Sequence, residues 1–368
     1  MRRSQRSQFD YHSYRGRTTF TDWLKRIALV LAILVVLLVA VLLLGQSFVS
    51  YTDQGLHINL PSPFSQQESS QTPDPGQVTV IEGNPEDASS QEEEPPAQEP
   101  QTEARSLLSV PLSALLDGSA AQLLQDAGAD GAVVDLKNDA GALGWQSQQP
   151  LASALQEGVD ASTVNAALAA WNEEAGYTAA RLSCFRDEAL GASMDYTLRT
   201  SSGYRWRDSG DSHWTTPSSL AVRDYLIGLM TELAQLGFDE IVLDYWGYPT
   251  QADGPLDNLQ RGESNYPEGT LDAVITEFLS QAAQALEPYG TKLSLHASPD
   301  VFTGAEAGSG LTTAALNASV DRIWTDDRSG QVLSALEEAG VDRASERLVS
   351  LVDSLTSGSP TAQAVWIS

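Results

Sequence analysis

Carboxylates recur at the ends of short apolar runs through residues 104–368. Asp135 lies in GAVVDL, with Lys137 and Asp139 just beyond it. Asp244 closes EIVLD and is followed by Tyr245, Trp246 and Tyr248. His296 ends TKLSLH with Asp300 four residues on, and Asp326 and Asp327 follow DRIWT. Arg181 sits inside YTAARLSCF, ahead of Arg186 and Asp187, and the long segment after it carries Trp206, Asp208 and Trp214. A carboxyl pair can supply the acid and the nucleophile or base of glycoside hydrolysis. Aromatic rings beside such a pair offer flat apolar faces for a pyranose. The residue types therefore point to a sugar site.

Such residues need a frame that gathers them. Eight apolar runs alternate with helical periods: 106–111, 131–136, 177–185, 240–246, 291–296, 321–325, 347–352 and 364–367. Helices are expected at 120–127, 162–175, 217–236, 271–286, 312–318 and 331–339. Strands alternating with helices make a parallel sheet. The length of 104–368 matches a (β/α)8 TIM barrel, whose chemistry sits at the C-terminal strand ends. An open doubly wound sheet is the structural alternative, but no G-x-G-x-x-G follows any strand.

Blander roles compete for several of these residues. Asp326 and Asp327 could cap the helix that follows. Asp135, in an apolar strand, needs a partner to be buried, and Lys137 and Arg181 are at hand. Asp239 and Glu240 open the fourth strand, on the face opposite the site, and are expected at the surface. Trp324 and Trp366 could be barrel core.

Charge divides the chain. Residues 1–44 hold seven bases and two acids; residues 45–368 hold 14 bases and 47 acids. The change falls at Ile27–Leu44, IALVLAILVVLLVAVLLL, which has the length and apolarity of a membrane span. The basic flank precedes it, so residues 1–26 are expected in the cytoplasm, 27–48 in the lipid bilayer, and the C-terminal domain outside the cell membrane. Residues 49–103, rich in Pro, Ser, Gln and Glu, read as a disordered linker. So acidic a chain lacks the basic face that nucleic acid needs. The single Cys184 and four unpaired histidines show no metal-ligand spacing, and no metal or cofactor is expected.

ADGAVVDLKNDAGALGW (129–145), ARLSCFRD (180–187), W-R-D at 206–208 and LGFDEIVLDYWGYP (236–249) together resemble the glycoside hydrolase domain family catalogued as DUF4015. The resemblance implies a TIM-barrel glycosidase behind a membrane anchor. Asp244 would be nucleophile or base, and Asp300, Asp326 or Asp327 the acid, with Trp324 desolvating it. Asp135, Lys137, Arg181 and Asp187 would form a charged floor. Asp139, Asp208 and His296 would bind substrate, and Trp206, Trp214, Tyr245, Trp246 and Tyr248 would stack on it. The family usually carries Arg where this chain has Gly247, so a cation beside Asp244 is expected to be missing. The segments after strands six and eight also depart from the family pattern. The expected function is hydrolysis of a carbohydrate polymer at the cell envelope. The alternative is a degenerate sugar-binding or scaffold barrel on the same tether.

Overall fold

The computed structural model describes residues 49–52, 55–58, 106–304, 308–326, 329–359 and 361–366. The expected membrane span 27–48 and Asp327 lie outside the described residues, as does most of the linker. Within the stretch expected to be disordered, β1 (Val49–Thr52) pairs antiparallel with β2 (Gly55–Ile58). The first segment, VSYT, is rich in residue types that favour strands; in the second, GLHI, only Ile58 is of that kind. Among the described residues no helix is long and apolar enough to cross a membrane.

Separately, eight strands close into a parallel barrel: β3 (Ser106–Ser109), β4 (Gly131–Lys137), β5 (Thr178–Ser183), β6 (Glu240–Asp244), β7 (Lys292–His296), β8 (Arg322–Thr325), β9 (Leu348–Leu351) and β10 (Ala362–Val365). Each pairs with its sequence neighbours, and β10 returns to β3. The long helices Leu220–Gln235 and Leu271–Leu286 bury Leu226, Leu229, Phe278 and Leu279 against the outside of the sheet. The first strand stops before Pro111, which instead precedes the short helix Leu112–Asp117. Proline fits there, because a helix start needs no N–H from it.

Strand alternation decides which residues enter the barrel. On β6, Ile241 and Leu243 pack in the outer core, whereas Val242 joins an inner cluster with Val133, Ala179 and Trp324. The parity that turns Val242 inward also turns Glu240 and Asp244 inward. Glu240 is therefore fully buried rather than at the surface. It accepts hydrogen bonds from Tyr177 Oη (2.8 Å), Ser294 Oγ (2.5 Å), Arg322 Nη1 (2.9 Å) and Trp324 Nε1 (2.8 Å). A buried carboxylate is tolerable only when paired and hydrogen-bonded in this way. Trp324 is thereby core, far into the barrel interior, and forms no part of the cavity wall described below.

Candidate active site

A cavity of about 1060 Å³ opens at the C-terminal strand ends. Its wall includes Asp135 from β4, Arg181 from β5, Asp244 from β6, His296 from β7 and Trp366 after β10. Parity explains the set: Asp135, Arg181, Asp244 and His296 share the inward phase of their strands.

Arg181 is the centre of this group. Its Nη2 lies 2.6 Å and its Nε 3.1 Å from Asp244 Oδ2. Its Nη1 donates to Asp135 Oδ2 (3.1 Å), and Nη2 also to Asp139 Oδ1 (3.1 Å). A planar guanidinium with five donors is suited to hold several carboxylates at fixed angles. Arg186 repeats the arrangement beside it, bridging Asp139 and Asp208 and reaching Tyr245 Oη at 3.2 Å. The cation absent at position 247 is thus present beside Asp244, supplied by Arg181. Sequence distance hid the contact, because Arg181 comes from the neighbouring strand.

The two inward carboxyls are driven apart. Burial alone would raise Asp244, but His296 and Arg181 overcome it and hold its carboxyl at about 2. His296 Nδ1 stands 3.1 Å from Asp244 Oδ1, an ion-pair distance without hydrogen-bond alignment. Asp135 goes the other way. Burial raises it, Arg181 opposes without cancelling, and the Asp139 and Asp244 charges add to the rise. Its Oδ1 is buried and lacks a hydrogen-bond partner. Opposite shifts in one site separate an ionised carboxylate from a protonatable one.

The turn out of β6 is strained. Tyr245 takes φ 48°, in the left-handed region that non-glycine residues avoid. Its N–H donates to Asp244 Oδ1 (3.0 Å), and the Arg186 guanidinium lies over its ring. The turn thus fixes both the catalytic candidate and the ring beside it.

Several candidate residues stand elsewhere. Lys137 is fully buried, bound to Asp187 (2.8 Å) and to the Ser183 carbonyl (2.6 Å). The β4–β5 register slips between Asp135 and Lys137, which ends the alternation and takes Lys137 out of the cavity wall. Asp187 also caps the short helix Glu188–Gly191 through Leu190 N. This pair is structural support behind the floor, not part of it. Trp206 is fully buried with Nε1 bound to the Pro255 carbonyl. Trp246 and Tyr248 contribute only edges to the wall; Trp246 Nε1 holds the His296 carbonyl and Tyr248 Oη meets Ser218 Oγ. Trp214 does line the cavity but is 1% exposed, edge-on to Tyr245, with Nε1 on Asp208. These indoles buttress the site and present no open face. Asp208 itself lies behind the wall, held low because Trp214, the Ser212 N–H and Arg186 outweigh its burial.

Of the acid candidates, Asp326 is exposed and joins the wall, whereas Asp300 is exposed in the first turn of Pro299–Thr303 and does not. The helix after Asp326, Gln331–Glu338, starts at Gly330 with no side-chain cap, so Asp326 is not a capping residue. Trp366, set aside above as core, is half-buried in the wall and stacks on His296 at 5.0 Å. The signal was present in A-Q-A-V-W, where alternation puts residues 362, 364 and 366 on one face.

Residues 114–323 match the family described as "Putative glycosyl hydrolase domain", DUF4015. The chain belongs to this family. The glycosyl hydrolase domain match takes in Asp135, Arg181, Asp244 and His296 and ends inside β8, before Asp326 and Trp366. At Gly247 the departure from the family has a steric counterpart. A Cβ there would lie 2.5 Å from the Ser309 carbonyl oxygen, so any side chain must displace the 308–310 segment.

No curated protein matches the chain. Among solved structures it is similar to a hypothetical protein from Ruminiclostridium thermocellum, at 24% identity over 51% of this chain and 96% of that one, TM-score 0.43. It is also similar to the PgaB glycoside hydrolase domain from Bordetella bronchiseptica, at 12% identity over 67% and 83%, TM-score 0.44. An exo-β-N-acetylglucosaminidase from Vibrio harveyi shares 11% identity over 67% of this chain, TM-score 0.44, and the match spans 41% of that enzyme.

Proposed function

We propose that this glycosyl hydrolase domain cleaves a carbohydrate polymer through Asp244 and Asp135. The observation that carries the reading is the opposed state of the two carboxyls around Arg181: Asp244 is held ionised and Asp135 is pushed towards protonation. Asp135, protonated, donates to the glycosidic oxygen as the bond to the anomeric carbon breaks. Asp244, ionised, attacks the anomeric carbon, or takes a proton from the attacking water in an inverting route. His296 and Arg181 keep Asp244 charged, and Arg181 orients both groups. Asp135 is preferred to Asp326 as acid because its Oδ1 is buried and its carboxyl is pushed towards protonation, although its side chain as a whole is 46% exposed; Asp326 is exposed. Tyr245 and the stacked His296–Trp366 pair offer ring faces to the sugar.

The apolar run 27–44 and its basic flank support a single-pass anchor, with the cytoplasm on the N-terminal side and the barrel outside. Protease digestion of intact cells tests it: the barrel should be cut and residues 1–26 protected.

One observation favours the second reading, a sugar-binding barrel without turnover. Arg181 engages three carboxylates at once, so its guanidinium is already committed within the resting site. Assay of the full chain in detergent on a panel of glycans, with Asp244→Asn and Asp135→Asn alongside, separates the two. Turnover lost in both variants supports the hydrolase. Glycan binding without turnover, unchanged in Asp244→Asn, supports the binding barrel.

A further inference from the structure

A reacting pair needs two carboxyls, and the described wall of the cavity carries six: Asp135, Asp139, Asp244, Asp253, Asp326 and Asp353. They are six of 27 lining residues, whereas acids make up 49 of 368 over the chain, so the wall is richer in them than the protein at large. The same described wall holds two arginines and no lysine. Both arginines come from β5 and the segment just after it, and both are committed. Arg181 holds Asp135, Asp139 and Asp244; Arg186 holds Asp139 and, behind the wall, Asp208. Carboxyls thus outnumber cations in the described wall, and a cleft with low-dielectric walls focuses such a field into its opening.

The charge is uneven around the rim. Asp326 follows β8 and Asp353 follows β9, neighbouring strands paired through Thr325 and Ser350. In the closed barrel β9 stands four strands from β5 in either direction. Asp353 therefore lines the cavity from the side opposite the arginines, with Asp326 beside it. Both residues are exposed, so neither belongs to the buried frame. Trp366 follows β10, the next strand round, and is half-buried in the same arc of wall. One arc thus combines two exposed carboxyls with a flat apolar ring.

We propose that the polymer bound in this cavity is a polyhexosamine with free amines, its ammonium groups held by Asp326 and Asp353 and one of its sugar rings packed beside Trp366. This rests on the glycoside hydrolase reading above and narrows its substrate. A neutral sugar would leave the wall's excess charge without a counterpart, and a uronic acid polymer would be repelled by it. An amino sugar brings a ring and a positive charge together. Its ammonium groups make charge-assisted hydrogen bonds to carboxylates, which are stronger than those of a hydroxyl.

The test is equilibrium binding of the full chain in detergent to hexamers that share a backbone and differ in one group: cellohexaose (hydroxyl), the glucosamine hexamer (ammonium) and the N-acetylglucosamine hexamer (acetamide). A galactosamine hexamer and its N-acetyl form cover the other common hexosamine. At low salt one amine hexamer should bind about tenfold more tightly than its N-acetyl form, and the glucosamine hexamer is compared with cellohexaose in the same way. The advantage should shrink at high salt. In D326N/D353N the amine hexamer should lose about fivefold, while binding of the N-acetyl form stays unchanged and reports an intact fold. D326N alone should give part of that loss. The proposal is overturned if neither amine hexamer binds more tightly than its N-acetyl form, or if the advantage survives undiminished in the double variant. Preference for the amine form without cleavage of any hexamer supports this proposal and removes the hydrolase reading. Cleavage with the neutral or N-acetyl hexamer preferred supports the hydrolase and overturns the amine.

Discussion

Arg181 Nη2 sits 2.6 Å from Asp244 Oδ2, and the two residues come from adjacent strands, β5 and β6. This contact puts a cation beside Asp244 although Gly247 supplies none. Together with the charge of His296 it holds Asp244 ionised, and the cluster sets how the whole site responds to pH.

The activity should have an acidic profile. Asp244 stays ionised down to about 2, so it does not limit the rate above that pH. Asp135 is raised above the ordinary carboxylate value and acts in its protonated form, so the rate falls as pH rises through its titration. Asp135→Asn should lower kcat on natural glycans by about 10²-fold or more. On aryl glycosides with good leaving groups, which need little proton donation, most of that loss should be recovered. A pH–rate series on both substrates checks this, and equal loss on both would remove Asp135 from the acid role.

Stability should follow the opposite carboxylate. The folded pKa of Asp244 lies below its unfolded value, so its contribution is present above about pH 4 and is lost as pH falls towards about 2. The depression corresponds to about 2 kcal/mol. Denaturant unfolding between pH 5 and pH 2 should show a loss of that order in the wild type. In Asp244→Asn the loss over that interval should be smaller by about the same amount.

Glu240 holds the barrel floor together. Glu240→Gln keeps the shape but leaves Arg322 with an uncompensated buried charge and turns one acceptor into a donor. Breaking such a pair costs about 3–5 kcal/mol. Urea unfolding should show it, and the double variant Glu240→Gln/Arg322→Met should recover part of the loss.

Restoring a side chain at Gly247 should not improve the site. Even Gly247→Ala meets the Ser309 carbonyl at 2.5 Å and should destabilise by about 1–3 kcal/mol. Gly247→Arg should lower activity rather than raise it, because Arg181 already serves Asp244. An activity gain in Gly247→Arg would mean that the 308–310 segment moves aside at little cost.

The barrel was legible in the chain because its signal is local. Six of the eight strands fall within the expected apolar runs, β4 runs one residue past its run and β10 begins two residues before its own, and helices 120–127 and 271–286 have the expected bounds. The short helices 188–191, 299–303 and 344–347 had no readable period, since one turn is too short to show one. Asp244, Asp135, Arg181 and His296 could be picked as strand-end residues from their positions in apolar runs. The tryptophans could not be sorted that way. Trp206, Trp214, Trp246 and Trp366 look alike as residues near strand ends, but three are sealed by neighbours far along the chain and one is left half-open.

The sequence by itself determined the succession of strands and helices and the presence of carboxylates and arginines at one end of the barrel, because periodicity and residue type are properties of short segments. Tertiary structure decided the rest. It placed Arg181 against Asp244, moved Lys137 behind the floor through a one-residue slip, and buried Glu240 among four donors. Those outcomes depend on which side chains meet across strands, and on the desolvation each then suffers. Neither is a function of distance along the chain.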